Sequence, residues 1–381
     1  MSVNLQFADS VEKKDRPIVA VPVEVWTYAP RGGLWTWAKE TSGATDDAGR
    51  YETALPFRDP GITYALRVIT SNGSALCCAG WAPKGFPAGT ALIEPGTDVP
   101  GGKPVHLKAS QAGDTVAFSY VFKDEWGSVF NVLDVLRIEA DFVRRFETDV
   151  DSDRVGVAHI GLAGSGPSDV SWFDPVMYTM NITPKGRWQD EVLLHEYGHY
   201  LQAQIGTLAW MPSGHNGCTP ATITVLGGNG AVVTTGPGNK MPAKIRGQHA
   251  WLEGFPDWLA ETVYWSNSSA FAPKTQHAGK YLESASCPES GPWPDGDRFE
   301  YHVAAFLWDM TDGPSAAEPW DKDEGDAQIA NIFRALDKEM DGADWPTIAD
   351  LTIWYPGGAT LPSASAQDIA IKNKVFYSII N

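Results

Sequence analysis

The stretch DEVLLHEYGHYLQAQIG, residues 190–206, carries the strongest structural signal in the sequence. Its apolar residues predict a buried amphipathic helix, and Asp190 is predicted to be the N-cap. His195 and His199 stand four residues apart, so their imidazoles lie on one face of that helix, one turn apart. Burying two histidines and Glu196 without a partner would be costly, so we expect these side chains to share a ligand.

The pattern His195-Glu196-Tyr197-Gly198-His199 is the HExxH motif, and its spacing suits one zinc ion. Two imidazoles at i and i+4 can hold Zn²⁺ at about 2.0–2.1 Å. The Glu196 carboxylate then lies beside the metal, where it can take a proton from bound water. The sequence therefore predicts one catalytic zinc with His195 and His199 as ligands and Glu196 as the general base. A third ligand is expected downstream, but not in the extended motif HExxHxxGxxH, whose last position holds Ile205.

A second run, WLEGFPDWLA at residues 251–260, follows downstream. Together with HEYGHYL it resembles the paired HExxH and ExxxD motifs of the thermolysin-like gluzincin metallopeptidases. The resemblance covers roughly residues 128–312. It implies that Glu253 is the third zinc ligand, and that Asp257 orients a ligating histidine through its other ring nitrogen. It also implies a zinc-dependent peptidase that acts on peptides or proteins.

Pro256 departs from the usual pattern of this second helix. Proline is tolerated only in the first turn of a helix, so either the helix starts near Glu253 or it kinks at Pro256. If Glu253 does not bind the metal, His249 is the next candidate for the third ligand.

A third predicted helix supplies two candidates for stabilising the oxyanion of the tetrahedral intermediate, Tyr301 and His302. Aminopeptidase-like gluzincins carry a catalytic tyrosine three residues before a small residue, as Tyr301 does before Ala304. Thermolysin uses a histidine, which His302 would supply. Adjacent helical residues point about 100° apart, so only one of the two can face the metal. Tyr301 is favoured because Ala304 and Ala305 leave room for substrate on its face.

The run at residues 176–182, directly before the zinc helix, is predicted to be an edge strand. In gluzincins this strand pairs with the extended substrate, so Tyr178 and Met180 are the expected substrate-binding residues. The sequence lacks the Gly-x-Met-Glu-Asn segment by which many aminopeptidases bind a free amino terminus, which disfavours that class. Two further functions stay open: an inert metallopeptidase fold that serves as a binding protein, and a zinc hydrolase of a non-peptide amide. The intact Glu196 argues against the inert form.

Short alternating strands and frequent turns predict an all-β region from Pro17 to about Val121. Its first strand places Val19, Val21, Val23 and Val25 on one face. The region resembles small transthyretin-like or carboxypeptidase-regulatory-like sandwiches, which implies an accessory module. The predicted fold class is therefore α+β: a tail at 1–15, an antiparallel β-sandwich at 16–122 and a metallopeptidase domain at 123–381. Helices are predicted at 128–146, 190–206, 247–265, 298–313 and 326–340, with a final helix near 369–380.

Composition limits the partners. The 381 residues include 47 Asp and Glu against 29 Lys and Arg, a net charge of −18. Nucleic acid and anionic membranes are excluded as main partners, because binding phosphate requires a cationic face. The sequence contains no run of 18 consecutive apolar residues that could span a membrane.

Localisation, disulfide bonding and calcium binding stay open. The first 17 residues contain no apolar signal region, so the chain is expected to be either a mature secreted form or cytosolic, with secretion favoured. Cys218 and Cys287 lie in Gly-, Ser- and Pro-rich loops and are either disulfide-bonded or free. The acidic runs at 149–153 and 321–326 could bind Ca²⁺, but each lacks the bidentate Glu of an EF-hand, so solvated acid clusters are favoured.

Overall fold

The computed structural model describes residues 1–31, 34–55, 63–72, 75–77, 90–93, 117–146, 158–162, 170–208, 213–214, 222–226, 231–237, 240–271, 299–312, 326–338, 348 and 351. Its strands are β1 (Ser2–Asp9), β2 (Lys14–Pro17), β3 (Pro22–Arg31), β4 (Leu34–Ala44), β5 (Arg50–Glu52), β6 (Thr63–Ile69), β7 (Ala75–Cys77), β8 (Thr90–Ile93), β9 (Ala117–Phe122), β10 (Ala158–Leu162), β11 (Trp172–Asp174), β12 (Thr179–Ile182), β13 (Ser213–Gly214), β14 (Thr222–Leu226) and β15 (Val232–Gly236). Its helices are α1 (Asp124–Arg144), α2 (Asp190–Gln204), α3 (Ala243–Ser266), α4 (Glu300–Asp309) and α5 (Asp326–Lys338). The predicted α+β class is confirmed, and each of the five helices predicted between residues 128 and 340 is present. The helix predicted near 369–380 lies outside the described residues.

The chain divides into two compact units. The first contains Met1–Ile138, Val157–Trp172 and Thr179–Leu193, and the second contains Glu139–Gly156, Phe173–Tyr178 and Leu194–Asn381. Both α1 and α2 therefore pass from the first unit into the second. Of the helices described, none is long and apolar enough to cross a membrane.

An antiparallel sheet in the first unit has the strand order β4-β3-β6-β8. Val21, Val23 and Val25 are buried on one face, as their alternation predicts. Val19 is only half-buried, and its neighbour Ile18 is buried instead. The reason is a break at Ala20, whose φ of 57° interrupts the extended chain between β2 and β3.

The expectation of a tail at residues 1–15 is wrong. Val3, Leu5 and Phe7 alternate as fully buried residues of β1, so the strand contributes one face to the core. β1 pairs with β2 and β5 in antiparallel fashion and with β9 in parallel fashion. The parallel β1–β9 pair makes this sheet mixed rather than purely antiparallel. The accessory role of the region stays a prediction.

The expected edge strand before α2 is also different in the structure. Only Thr179–Ile182 form strand β12, and the sheet order β11-β12-β10-β7 places it between two neighbours. The chain reverses before it, because the Asp174 carboxylate accepts hydrogen bonds from the backbone N–H groups of Val176 and Met177 at 2.9 and 3.0 Å. Among the described strands, β11 rather than β12 therefore forms this edge of the sheet.

Buried aromatic residues form the core of the second unit. The rings of Trp251, Phe255 and Trp258 of α3 pack in sequence at tilted angles with centroids 5.5 Å apart, and Trp258 also packs against Phe333 of α5. Helix α4 packs closely against α3 at Gly254, where an added Cβ would lie 2.7 Å from the Glu300 carbonyl oxygen. Rigid packing of this kind fixes α3, which carries Glu253 and Asp257.

Candidate metal centre

Helix α2 presents one face to α3. Its first turn is capped by Gln189, whose carbonyl accepts hydrogen bonds from the N–H groups of residues 192 and 193, so Asp190 is the first helical residue rather than the predicted N-cap. The residues that contact α3 recur at i, i+3, i+4 and i+7: they are His195, Gly198, His199 and Gln202. This spacing keeps their side chains on one stripe of the helix.

Two histidines of α2 and a carboxylate of α3 converge at one point. His195, His199 and Glu253 offer ligand atoms that all lie within 4.8 Å of one another. In this group, Glu253 Oε2 is 3.3 Å from His195 Nε2 and 3.3 Å from His199 Nε2. Ligands of one tetrahedral zinc at about 2.0–2.1 Å lie about 3.3 Å apart, since a tetrahedron's edge is about 1.6 times its centre-to-corner distance. The three side chains therefore fit a single small cation, and two nitrogens with one carboxylate oxygen form a donor set that zinc accepts.

Both imidazoles turn their Nε2 atoms toward Glu253 and their Nδ1 atoms away from it. His195 Nδ1 is 2.8 Å from Asp257 Oδ1, one helical turn beyond Glu253 on α3. Burial lowers the pKa of His195, but Asp257 and Glu253 together raise it well above its usual value. The surroundings of His195 therefore favour positive charge, whether carried by a proton or by a metal ion.

The second imidazole has a partner that the sequence analysis missed. His199 Nδ1 is 3.3 Å from Gln202 Oε1, and the Gln202 amide nitrogen donates to the Trp251 carbonyl at 3.3 Å. The available signal was position: Gln202 follows His199 by three residues and so lies on the same face of α2.

Pro256 lies inside a continuous helix α3, so a helix that starts near Glu253 is ruled out. Having no N–H, Pro256 leaves the carbonyl of Leu252 without its helical hydrogen bond. Its ring contacts α2: a Cβ added to Gly198 would lie 2.7 Å from Pro256 Cα and 2.8 Å from its Cβ. A glycine inside HExxH therefore permits the close approach that brings Glu253 to the two histidines.

Glu196, the expected general base, is buried with 6% of its surface exposed. A second buried carboxyl, that of Glu139, was also missed by the sequence analysis. Glu139 of α1 is fully buried, and its carboxyl oxygens have no hydrogen-bond partner among the described residues. Burial raises the pKa of Glu139 well above its usual value, and the pKa of the neighbouring Tyr197 is raised for the same reason.

The first turn of α4 lies against α3 just beyond Glu253, because Gly254 contacts both the Glu300 carbonyl and Val303. This turn carries Tyr301, which is half-buried, and His302, which is only 5% exposed. Burial lowers the pKa of His302, which favours a neutral ring. The choice between the two as oxyanion donor stays a prediction.

Other predicted residues lie apart from the metal cluster. His249 is buried and is not part of the His195–His199–Glu253 group. Met180 is completely buried in β12, so its side chain is not available to a substrate, whereas Tyr178 is 45% exposed in the turn before it. Cys218, Cys287 and the acidic run at 149–153 lie outside the described residues, and so does the run at 321–326 apart from Asp326, where α5 begins.

Residues 162–340 match the family model of the Mycolysin C-terminal domain. The matched range contains the whole candidate metal centre, Glu196 and the first turn of α4. It supports a distant relationship between this part of the chain and the thermolysin-like peptidases.

A curated relative from Archaeoglobus fulgidus, described as an uncharacterized protein, is 26% identical over 236 residues. The alignment covers 59% of this chain and 56% of the relative. The chain thus spans little more than half the length of the relative that it matches, and the relative's description assigns no activity.

Proposed function

We propose that this protein is a zinc-dependent peptidase whose metal is held by His195, His199 and Glu253. The observation that carries the proposal is the pair of 3.3 Å separations between Glu253 Oε2 and the two Nε2 atoms. The peptidase-related family match over residues 162–340 supports the choice of reaction.

A Zn²⁺ ion bound here would act as a Lewis acid on a substrate carbonyl and lower the pKa of an attacking water. Glu196 follows a ligand directly in sequence and is buried, so its carboxylate accepts the proton of that water in a poorly solvated place. It then delivers the proton to the leaving amine as the C–N bond breaks. Asp257 holds the His195 ring through Nδ1 and keeps Nε2 directed at Glu253.

Tyr301 is the proposed donor to the developing oxyanion. Its half-buried position on the first turn of α4 leaves part of the side chain accessible, whereas His302 is buried against the ring of Phe299 at 5.7 Å. A neutral His302 has one N–H to donate, so it stays the alternative.

Substrate backbone pairing is proposed for β11 rather than β12, because β12 already has a neighbour on each side. An extended peptide adds to a sheet through the main-chain groups of an edge strand.

A peptide-library digest analysed by mass spectrometry tests the proposal. The wild-type protein should cleave peptides, a zinc chelator should stop cleavage, and added zinc should restore it. Glu196→Gln should retain zinc and lose nearly all cleavage, because an amide cannot accept the proton. Cleavage by Glu196→Gln at the wild-type rate would overturn the role of Glu196. Zinc binding without any peptide cleavage by the wild type would favour a binding protein or a hydrolase of another amide.

A further inference from the structure

Gln202 occupies a buried position between the two helices of the metal centre. Its side chain is completely buried near the end of α2, one turn beyond His199. Its oxygen lies 3.3 Å from His199 Nδ1, and its nitrogen lies 3.3 Å from the Trp251 carbonyl oxygen. Trp251 precedes Glu253 by two residues on α3, so one amide contacts a histidine of the cluster and the helix that carries its carboxylate.

The orientation of this amide follows from its partners. A backbone carbonyl can only accept a hydrogen bond, so the NH₂ end of Gln202 must face Trp251. The amide oxygen is then left facing His199, and because that oxygen can only accept, Nδ1 must carry the hydrogen. A neutral imidazole protonated at Nδ1 keeps the lone pair of Nε2, the atom that lies 3.3 Å from Glu253.

We propose that Gln202 is a positioning residue of the metal centre: it selects the metal-binding tautomer of His199 and ties that ring to the backbone of α3. The inference rests on the proposed function, in which His195, His199 and Glu253 hold zinc. Gln202 does for His199 what Asp257 does for His195, whereas the family resemblance implied only Asp257.

The two imidazoles consequently have different partners. A carboxylate contacts the ring of His195 at 2.8 Å, whereas a neutral amide contacts the ring of His199 at 3.3 Å. A carboxylate behind an imidazole makes it a stronger metal ligand, because it stabilises the positive charge that the ring acquires. Glutamate at position 202 should therefore support zinc binding as well as glutamine does.

Zinc affinity and apo-protein stability, measured separately, test this role. Affinity is measured by competition with a chromophoric chelator at neutral pH, and stability by thermal unfolding of the metal-free protein. Gln202→Met keeps the side-chain length but removes both hydrogen bonds, and it should weaken zinc binding by about 10- to 100-fold. Gln202→Glu keeps the acceptor for His199 but places a carboxylate oxygen against the Trp251 carbonyl oxygen, so it should bind zinc at least as tightly as wild type while repulsion between the two oxygens lowers its Tm. Gln204→Met, the same change two residues further along α2, should leave zinc affinity unchanged.

A role in packing alone predicts another pattern. Zinc affinity would then fall in Gln202→Glu together with its Tm, and that result would overturn the proposal, as would wild-type affinity in Gln202→Met. If Gln202→Met does not fold, Gln202→Glu decides: retained affinity supports the proposal and lost affinity refutes it. A wild-type protein that binds no zinc would remove the metal centre itself, whereas the expected affinity pattern without peptide cleavage would overturn only the proposed reaction.

Discussion

Asp190→Asn is expected to remove a pH-dependent loss of stability at the start of α2. Asp190 is 9% exposed and accepts a hydrogen bond from the Asn131 amide at 3.3 Å. Burial raises its pKa from 3.8 to about 6, although the Asn131 hydrogen bond and the charge of Arg16 oppose the shift. The folded protein thus binds a proton here that the unfolded chain has already released.

The sign and size of the stability change follow from the difference between the pKa of Asp190 in the folded and the unfolded state. Because the folded state holds the extra proton between pH 3.8 and about 6, unfolding free energy falls as pH rises through this window. About two pKa units at 1.36 kcal/mol each amount to about 3 kcal/mol. Asparagine does not titrate, so Asp190→Asn should gain about 3 kcal/mol relative to wild type between pH 4 and pH 7.

Urea denaturation of the metal-free proteins at several pH values provides the assay. Asp46→Asn is a control of opposite sign, because the backbone N–H of Arg50 and other groups lower the pKa of exposed Asp46. In wild type, the contribution of Asp46 to the free energy of unfolding should therefore rise as pH rises through its pKa. A stability difference between Asp190→Asn and wild type that does not change with pH would refute the buried-carboxyl explanation.

Three further changes have defined outcomes. Gly198→Ala should lower stability by about 1–3 kcal/mol in urea denaturation, because an added Cβ would lie 2.7 Å from Pro256 Cα, and a stabilised variant would contradict this helix contact. Burial raises the pKa of Glu139, so the folded wild-type protein loses stability as pH rises above the usual pKa of a glutamate. Glu139→Gln should therefore raise Tm more at pH 8 than at pH 5, and an equal change at both pH values would contradict this explanation. Asp257→Asn should weaken zinc binding by about 10- to 100-fold in chelator competition, and unchanged affinity would show that the His195 contact does not orient the ligand.

The helices and the two histidines of the metal cluster were predictable because their signals are local, whereas Glu253 was implied by the family resemblance. Apolar spacing defined α1 and α2, and HExxH placed two histidines on one face. The alternation of Val3, Leu5 and Phe7 also predicts a strand, but these residues lie at the start of the chain and were assigned to a tail.

Tertiary contacts were harder to predict. The sequence of residues 176–182 does not show that β11 pairs with β12, because strand order depends on hydrogen bonds to other segments of the chain. Pro256 argued for a helix start near Glu253, yet the Gly198 contact and the surrounding aromatic core accommodate it within α3. Gln202 has no distinctive sequence signal beyond its spacing, because its role depends on the Trp251 carbonyl of another helix.

Zinc content of the purified protein tests the central claim most directly. After the protein is loaded with zinc and dialysed to remove the excess, metal analysis should find about one zinc per chain in wild type, as expected for a single site. His199→Ala and Glu253→Ala should lose most of that zinc, while Glu191→Ala, which removes a carboxylate of α2 outside the cluster, should retain it. Wild-type zinc content and affinity in Glu253→Ala would contradict the assignment of His195, His199 and Glu253 as one metal site.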